Sequence, residues 1–253
     1  MVQQSQNGSP LAQWSGDYWQ AARRPLTSLA FILPLLVVYE VGVIVLGTSA
    51  IRNGADVWLR QLLDWAGMGS YFLLPVVIVA ALLAWHHTTA QRWQVSAGVL
   101  YLMLIESALF ALFLIVSAHV QGTLLAALGL PPASPVAASV GYEAMSLVGR
   151  LVGFFGAGIY EEVFFRLLML PIVYGIIYGL GGSPRVRVVG AIVITSFFFS
   201  MAHYVGPHGE RFIAYTFAFR FVAGAFFAVL FVFRGFGIAA GTHALYDIFV
   251  GMR

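Results

Sequence analysis

Apolar residues run through this 253-residue chain in blocks of about twenty, separated by short polar breaks. A helix needs roughly 20 apolar residues, at about 1.5 Å each, to cross about 30 Å of hydrocarbon. Residues 27–48, 70–86, 95–118, 187–205, 212–233 and 236–250 each read as one such span. Residues 51–68 mix Arg, Asp and Gln with Trp and Leu and predict an amphipathic helix lying on the membrane surface. The apolar run from 141 to 182 is too long for one straight crossing and slightly short for two. A single long helix, bent near Pro171 or Gly175, fits best, and two shorter helices are the alternative. The fold class is therefore all-α, a polytopic transmembrane bundle of seven or eight helices. The chain divides into an N-terminal interfacial segment (1–26), N-terminal transmembrane helices with the amphipathic segment (27–140) and a transmembrane core (141–253).

Composition removes the alternatives. Hydrophobic residues make up 60% of the chain and charged residues 9%, where a soluble domain carries about 45–50% and about 25%. With no cysteine, disulfides, thiolate nucleophiles and cysteine metal sites are excluded. The net charge of +3 comes entirely from scattered arginines and is no nucleic-acid footprint. If 141–182 crosses once, Arg23, Arg24, Arg92, Arg185, Arg187 and Arg234 share one side, and Arg52, Arg60 and Arg211 lie on the other. The positive-inside rule makes the first side cytoplasmic, with the N-terminus there and the protein in a plasma (inner) membrane.

Against this background, a few polar residues stand where lipid is expected. An ionisable side chain inside a span costs a few kcal/mol unless it pairs, faces a cavity or has a task. Glu161, Glu162, Arg166, His203, His243 and Asp247 fall in three segments, "EEVFFR", "FSMAH" and "HALYD". Glu162 and Arg166 are four apart and can pair on one helix face. Glu161 points about 100° away and has no local partner. His243 and Asp247 are again one turn apart, so that Asp247 can bond one ring nitrogen and fix the tautomer. Phe199, one turn before His203, can pack on its ring. An isolated carboxylate in an apolar site suits a general base acting on water, and a histidine steadied by an acid suits an oxyanion donor. The same groups could instead bind zinc through Glu161, His203 and His243. Counted from the arginine-rich side at about 1.5 Å per residue, Glu161 falls at the far interface on a straight helix. A bend or tilt has to bring it to the histidines. Glu40, Glu106, Glu143, Arg150 and Arg220 stand singly, without a motif, and read as packing pairs or interface residues.

The ordered set Glu161-Glu162-Val163-Phe164-Phe165-Arg166, Phe199-Ser200-Met201-Ala202-His203 and His243-Ala244-Leu245-Tyr246-Asp247 resembles the CAAX-protease and bacteriocin-processing (CPBP) family, membrane proteases related to the type II CAAX prenyl endopeptidase. The resemblance covers residues 140–250. It implies an intramembrane endopeptidase in which Glu161 and His203 activate the attacking water and His243 with the residue at 247 stabilises the oxyanion. Glu162 and Arg166 would support the site or contact substrate. The family pattern has Asn or a similar polar residue at position 247. Asp247, when ionised, can only accept a hydrogen bond, so it is expected to act through His243. No cofactor is favoured and zinc is possible. Expected partners are the lipid bilayer and a membrane-associated or exported peptide or protein substrate, with no nucleic acid. A transporter using Glu161, His203 and Asp247 as a relay, and a non-catalytic binding or immunity protein, are the competing functions.

Overall fold

In the computed structural model, residues 17–47, 52–70, 72–129, 146–206 and 209–252 are described; Glu143 and most of the interfacial segment lie outside them. From Pro25 onward these residues form eight helices and no strand: α1 (Pro25–Leu46), α2 (Gly54–Trp65), α3 (Leu73–Thr88), α4 (Ala97–Ala127), α5 (Leu147–Gly179), α6 (Pro184–Ala202), α7 (Ala214–Arg234) and α8 (Phe236–Gly251). Five of them, α1, α4, α5, α6 and α7, are long and apolar enough to cross a membrane, and α3 is a shorter apolar helix. The protein is an integral membrane protein. Helix starts carry ordinary chemistry: Pro25 and Pro184 occupy first-turn positions that need no N–H, and the Ser146 hydroxyl accepts the Gly149 N–H.

The run from 141 to 182 contains one continuous helix, α5, of 33 residues. Its irregularity does not sit at Pro171 or Gly175. Residues Ala157–Glu161 and Val163–Met169 wind as π-helix, and regular α-helix resumes at Leu170. Such stretches widen the turn and re-aim side chains relative to an α-helix. Here the wide turns hold the Glu-Glu motif.

The last helix, α8, is the axis of the bundle. Every residue from Phe236 to Ala244 is buried, and α8 packs on α1, α4, α5 and α7. Small residues permit this. A Cβ on Gly237 would lie 3.0 Å from the Ser28 backbone, and one on Gly241 would lie 2.6 Å from the Phe31 ring. Close approach of small residues is the usual way helices associate where lipid offers no hydrophobic drive. The turn from α7 to α8 is the single residue Gly235, at φ +88°, where a side chain would be strained. At this end Arg234 grips Glu106 through two bonds of 2.5 and 2.6 Å, and Glu106 also accepts from Tyr18.

The amphipathic segment is helical, as its pattern predicts, but its charged face turns into the protein. Asp56 is fully buried, while Trp65 is 82% exposed. Arg52 and Arg60 both hold Asp56, at 2.7 and 2.6 Å, and Arg60 reaches Glu40 on α1. Tyr39 donates to Asp56, and Tyr160 on α5 donates to Glu40. A buried acid needs such partners, and α2 finds them only by facing inward.

At Gly158, α5 comes close to the backbone of α8: a Cβ there would stand 2.8 Å from the Ala244 backbone nitrogen and 2.9 Å from the Ala240 oxygen. Gly158→Val is therefore expected to push the two helices apart and cost about 1–3 kcal/mol. A lowered thermal-unfolding midpoint in detergent micelles checks it, and an unchanged midpoint would refute the close packing.

Candidate active site

The predicted site residues come from two helices and the end of a third. Glu161, Glu162 and Arg166 lie on the π-helical part of α5, His203 caps the C-terminus of α6, and His243 and Asp247 lie on α8. His243 is the meeting point. Its Nδ1 lies 2.8 Å from Glu162 Oε1, and its Nε2 faces Glu161 Oε2 at 3.8 Å and Asp247 Oδ2 at 3.7 Å. Both members of the Glu-Glu pair thus reach one imidazole, one on each ring nitrogen.

This differs from the expected arrangement in one respect. The i,i+4 spacing predicts that Asp247 bonds His243 and sets its tautomer. At 3.7 Å no such bond is made, and Glu162 across the helix interface takes that part instead. An ionised carboxylate only accepts, so Nδ1 carries the hydrogen and Nε2 is the nitrogen turned toward Glu161 and Asp247.

Glu162 and Arg166 form the buried pair that their spacing predicts, with Nη1 3.0 Å from Oε1. Arg166 also donates to the Gly224 carbonyl on α7 at 2.9 Å and lies over the Phe199 ring at 4.5 Å and the Phe227 ring at 5.5 Å. Phe227 stacks on His243, with ring centroids 4.5 Å apart and planes at 11°. Phe199 packs edge-on to both imidazoles, 5.2 Å from His203 and 5.9 Å from His243. One aromatic wall therefore sets the orientation of both histidines and the guanidinium together.

The His203 Nδ1 lies 2.8 Å from the Phe199 carbonyl, which can only accept, so Nδ1 donates and Nε2 is left for other partners. Glu161 lies within electrostatic range of both His203 and His243. Its Oε1 accepts from the Asn53 amide at 2.8 Å, while Oε2 is buried with no hydrogen-bond partner. Glu162, Arg166 and His243 are closed off from solvent; Glu161, His203 and Asp247 are only partly so, and they form the accessible side of the cluster. Among the described residues, no three His, Asp or Glu side chains are gathered closely enough to hold a metal ion as they stand.

Asn53 and the Phe227 ring carry no motif that singles them out in the sequence. Asn53 stands just before an amphipathic run and reads as a helix cap, which it also is: Oδ1 accepts the Ala55 N–H. The solitary charges have structural partners. Glu40 pairs with Arg60, Glu106 with Arg234, Arg220 with Glu210, and Arg150 donates to the Gly251 carbonyl. Arg220 nonetheless borders the site, within electrostatic range of His203 and Asp247.

An all-helical membrane protein with an acid–imidazole cluster buried among its helices is the class that fold and geometry define. Residues 143–249 match the family model described as type II CAAX prenyl endopeptidase Rce1-like, so the resemblance carried by the three motifs is shown over the stretch that contains them. The match supports an intramembrane endopeptidase with membrane-associated peptide substrates. No curated protein and no solved structure matches the chain.

Removing one member of a buried charge pair leaves the other uncompensated, at about 3–5 kcal/mol. Arg166→Met is expected to lower the thermal midpoint in detergent strongly, and Glu162→Gln with Arg166→Met to recover part of the loss. A double variant no better than the single one would show that Arg166 acts through the aromatic wall and not through Glu162.

Proposed function

We propose that the protein is an endopeptidase of glutamate type that hydrolyses a peptide bond in a membrane-associated or exported substrate, using water and no metal. The observation that carries the proposal is the convergence of Glu161, through its unpartnered oxygen, with two histidines whose other nitrogens are already committed.

In this reading Glu161 Oε2 takes a proton from water while His203 Nε2 holds that water, and the oxygen attacks the scissile carbonyl carbon. The negative charge that develops on the carbonyl oxygen is met by a hydrogen on His243 Nε2, with Asp247 stabilising the imidazolium. Donors fixed in advance at the place where charge appears give the largest single contribution to many such reactions. Collapse of the tetrahedral species breaks the C–N bond, and the proton held by Glu161 passes to the leaving amine. The products are a carboxylic acid and an amine, and the base is restored. Glu162 orients His243, and Arg166 holds Glu162 in place. Three acids stand against Arg166 beside Glu162 and, at longer range, Arg220, so the rest of the charge balance depends on the imidazoles. The arginine-rich end of the bundle is taken as cytoplasmic. Glu161 and His203 then sit toward the outer half of a plasma membrane, which favours substrates that have been exported or are anchored in the bilayer.

Membranes from cells producing the wild-type protein are expected to contain new peptide termini that are absent with Glu161→Gln, at least 100-fold reduced; identical termini from both would refute the assignment of the base. Asp247→Asn is expected to keep substantial activity and Asp247→Ala to lose most of it, since an Asn amide can itself donate to the developing oxyanion. Equal, near-complete loss in both, together with inhibition by a chelator and rescue by zinc, would argue for a carboxylate metal ligand in its place.

A further inference from the structure

The chemistry assigned to Glu161 depends on which of its two oxygens is free, and that is decided outside the matched stretch. Asn53 lies before α2, ninety residues upstream of residue 143, and its amide nitrogen donates to Glu161 Oε1 at 2.8 Å. The orientation of this amide is fixed by its other end, because Oδ1 accepts the Ala55 N–H at 2.9 Å. A flipped amide would lose both bonds.

The cap alone does not explain an asparagine here. Ser and Asp cap helices about as well, because capping uses only a side-chain oxygen. What distinguishes Asn is the N–H that remains after capping, and this group meets the carboxylate. The first turn of α2 is anchored well enough to hold it. Asp56, fully buried, takes bonds from Arg52, Arg60 and Tyr39, and Arg60 continues to Glu40. Glu40 accepts from Tyr160, the residue directly before Glu161. The backbone at 160–161 is therefore tied to α2 on two sides, through Tyr160 by way of the ion network and through Glu161 by Asn53.

We propose that Asn53 is a positioning residue for hydrolysis: it holds Glu161 by Oε1, so that Oε2 is turned toward His243 and kept free to take the proton from water. The inference rests on the reading of Glu161 as the base. The occupant of position 53 then governs kcat without contacting substrate. Misplacement of a reacting group by as little as about 1 Å can cost about 100-fold in rate.

Two variants separate positioning from capping. Asn53→Ser and Asn53→Asp both keep the cap oxygen, but Ser is too short to reach the carboxylate and Asp sets an acceptor against an acceptor. The protein is purified in full length, reconstituted in liposomes and given a quenched fluorescent peptide with a farnesylated CAAX end. Expected is a fall in kcat of about 10- to 100-fold for Ser and more for Asp, with KM unchanged and thermal midpoints near wild type. Near-wild-type kcat in both variants would reduce Asn53 to a cap and overturn the proposal. Infrared difference spectra test the contact without any substrate. The carboxylate band removed by Glu161→Gln identifies Glu161, and it is expected to move in Asn53→Ser; a band that stays in place overturns the proposal. If Glu161→Gln turns over the peptide like wild type while the band still moves, the contact stands and the assignment of the base fails.

Discussion

A carboxylate sealed among helices has to be paid for by partners, and Glu162 is the acid on which the others depend. It is wholly buried, and its Oε1 serves Arg166 and His243 at the same time. The guanidinium pairs with Glu162; Glu162 bonds Nδ1 of the imidazole; the imidazole so held presents Nε2 to Glu161 and Asp247. Each step needs the one before it. In the low dielectric of a membrane interior, an unpaired member of this chain would be far more costly than the whole set, which is why such groups survive only as a connected network.

Bringing the network together is a problem of helix geometry. On a regular helix, neighbours in sequence point about 100° apart, yet Glu161 and Glu162 both address one ring, from opposite nitrogens. The π-helical turns around them relax that rule, and Gly158 lets α5 come against the backbone of α8 one turn earlier. The buried, small-residue face of α8 then sets His243 at the centre of the bundle, and Phe199 and Phe227 close round it. The wide turns of α5 and the small residues of α8 serve the same end.

Much of this is legible in the sequence, because membranes leave few choices. The spans follow from runs of apolar residues, the Glu162–Arg166 pair from its four-residue spacing, and the three motifs from polar groups stranded in apolar surroundings. What the pattern cannot carry is competition between partners. The spacing of His243 and Asp247 allows a bond between them, but an acid on another helix lies closer and takes the ring nitrogen. Likewise, the alternation of charge in residues 51–68 states that a helix has two faces, not which face meets water. Asp56 and Arg60 turn inward because Glu40, Tyr39 and Tyr160 offer them partners there, and none of these is near in sequence. The bend expected at Pro171 fails for a related reason: the proline begins a regular segment, and the wide turns lie before it.

The division between the two halves of the chain is then one of tasks. The stretch from 143 to 249 holds all the acids and imidazoles of the cluster. Yet an acid that must work as a base needs one oxygen restrained and the other left open, and the hydrogen bond that holds Glu161 Oε1 comes from outside that stretch. The restraint comes from Asn53, and its rigidity comes from ion pairs between α2 and α1. A buried ion network of this kind contributes little net stability once desolvation is counted. What it does supply is a fixed position for the first turn of α2, and a site whose chemistry turns on the direction of a single carboxylate oxygen has use for that.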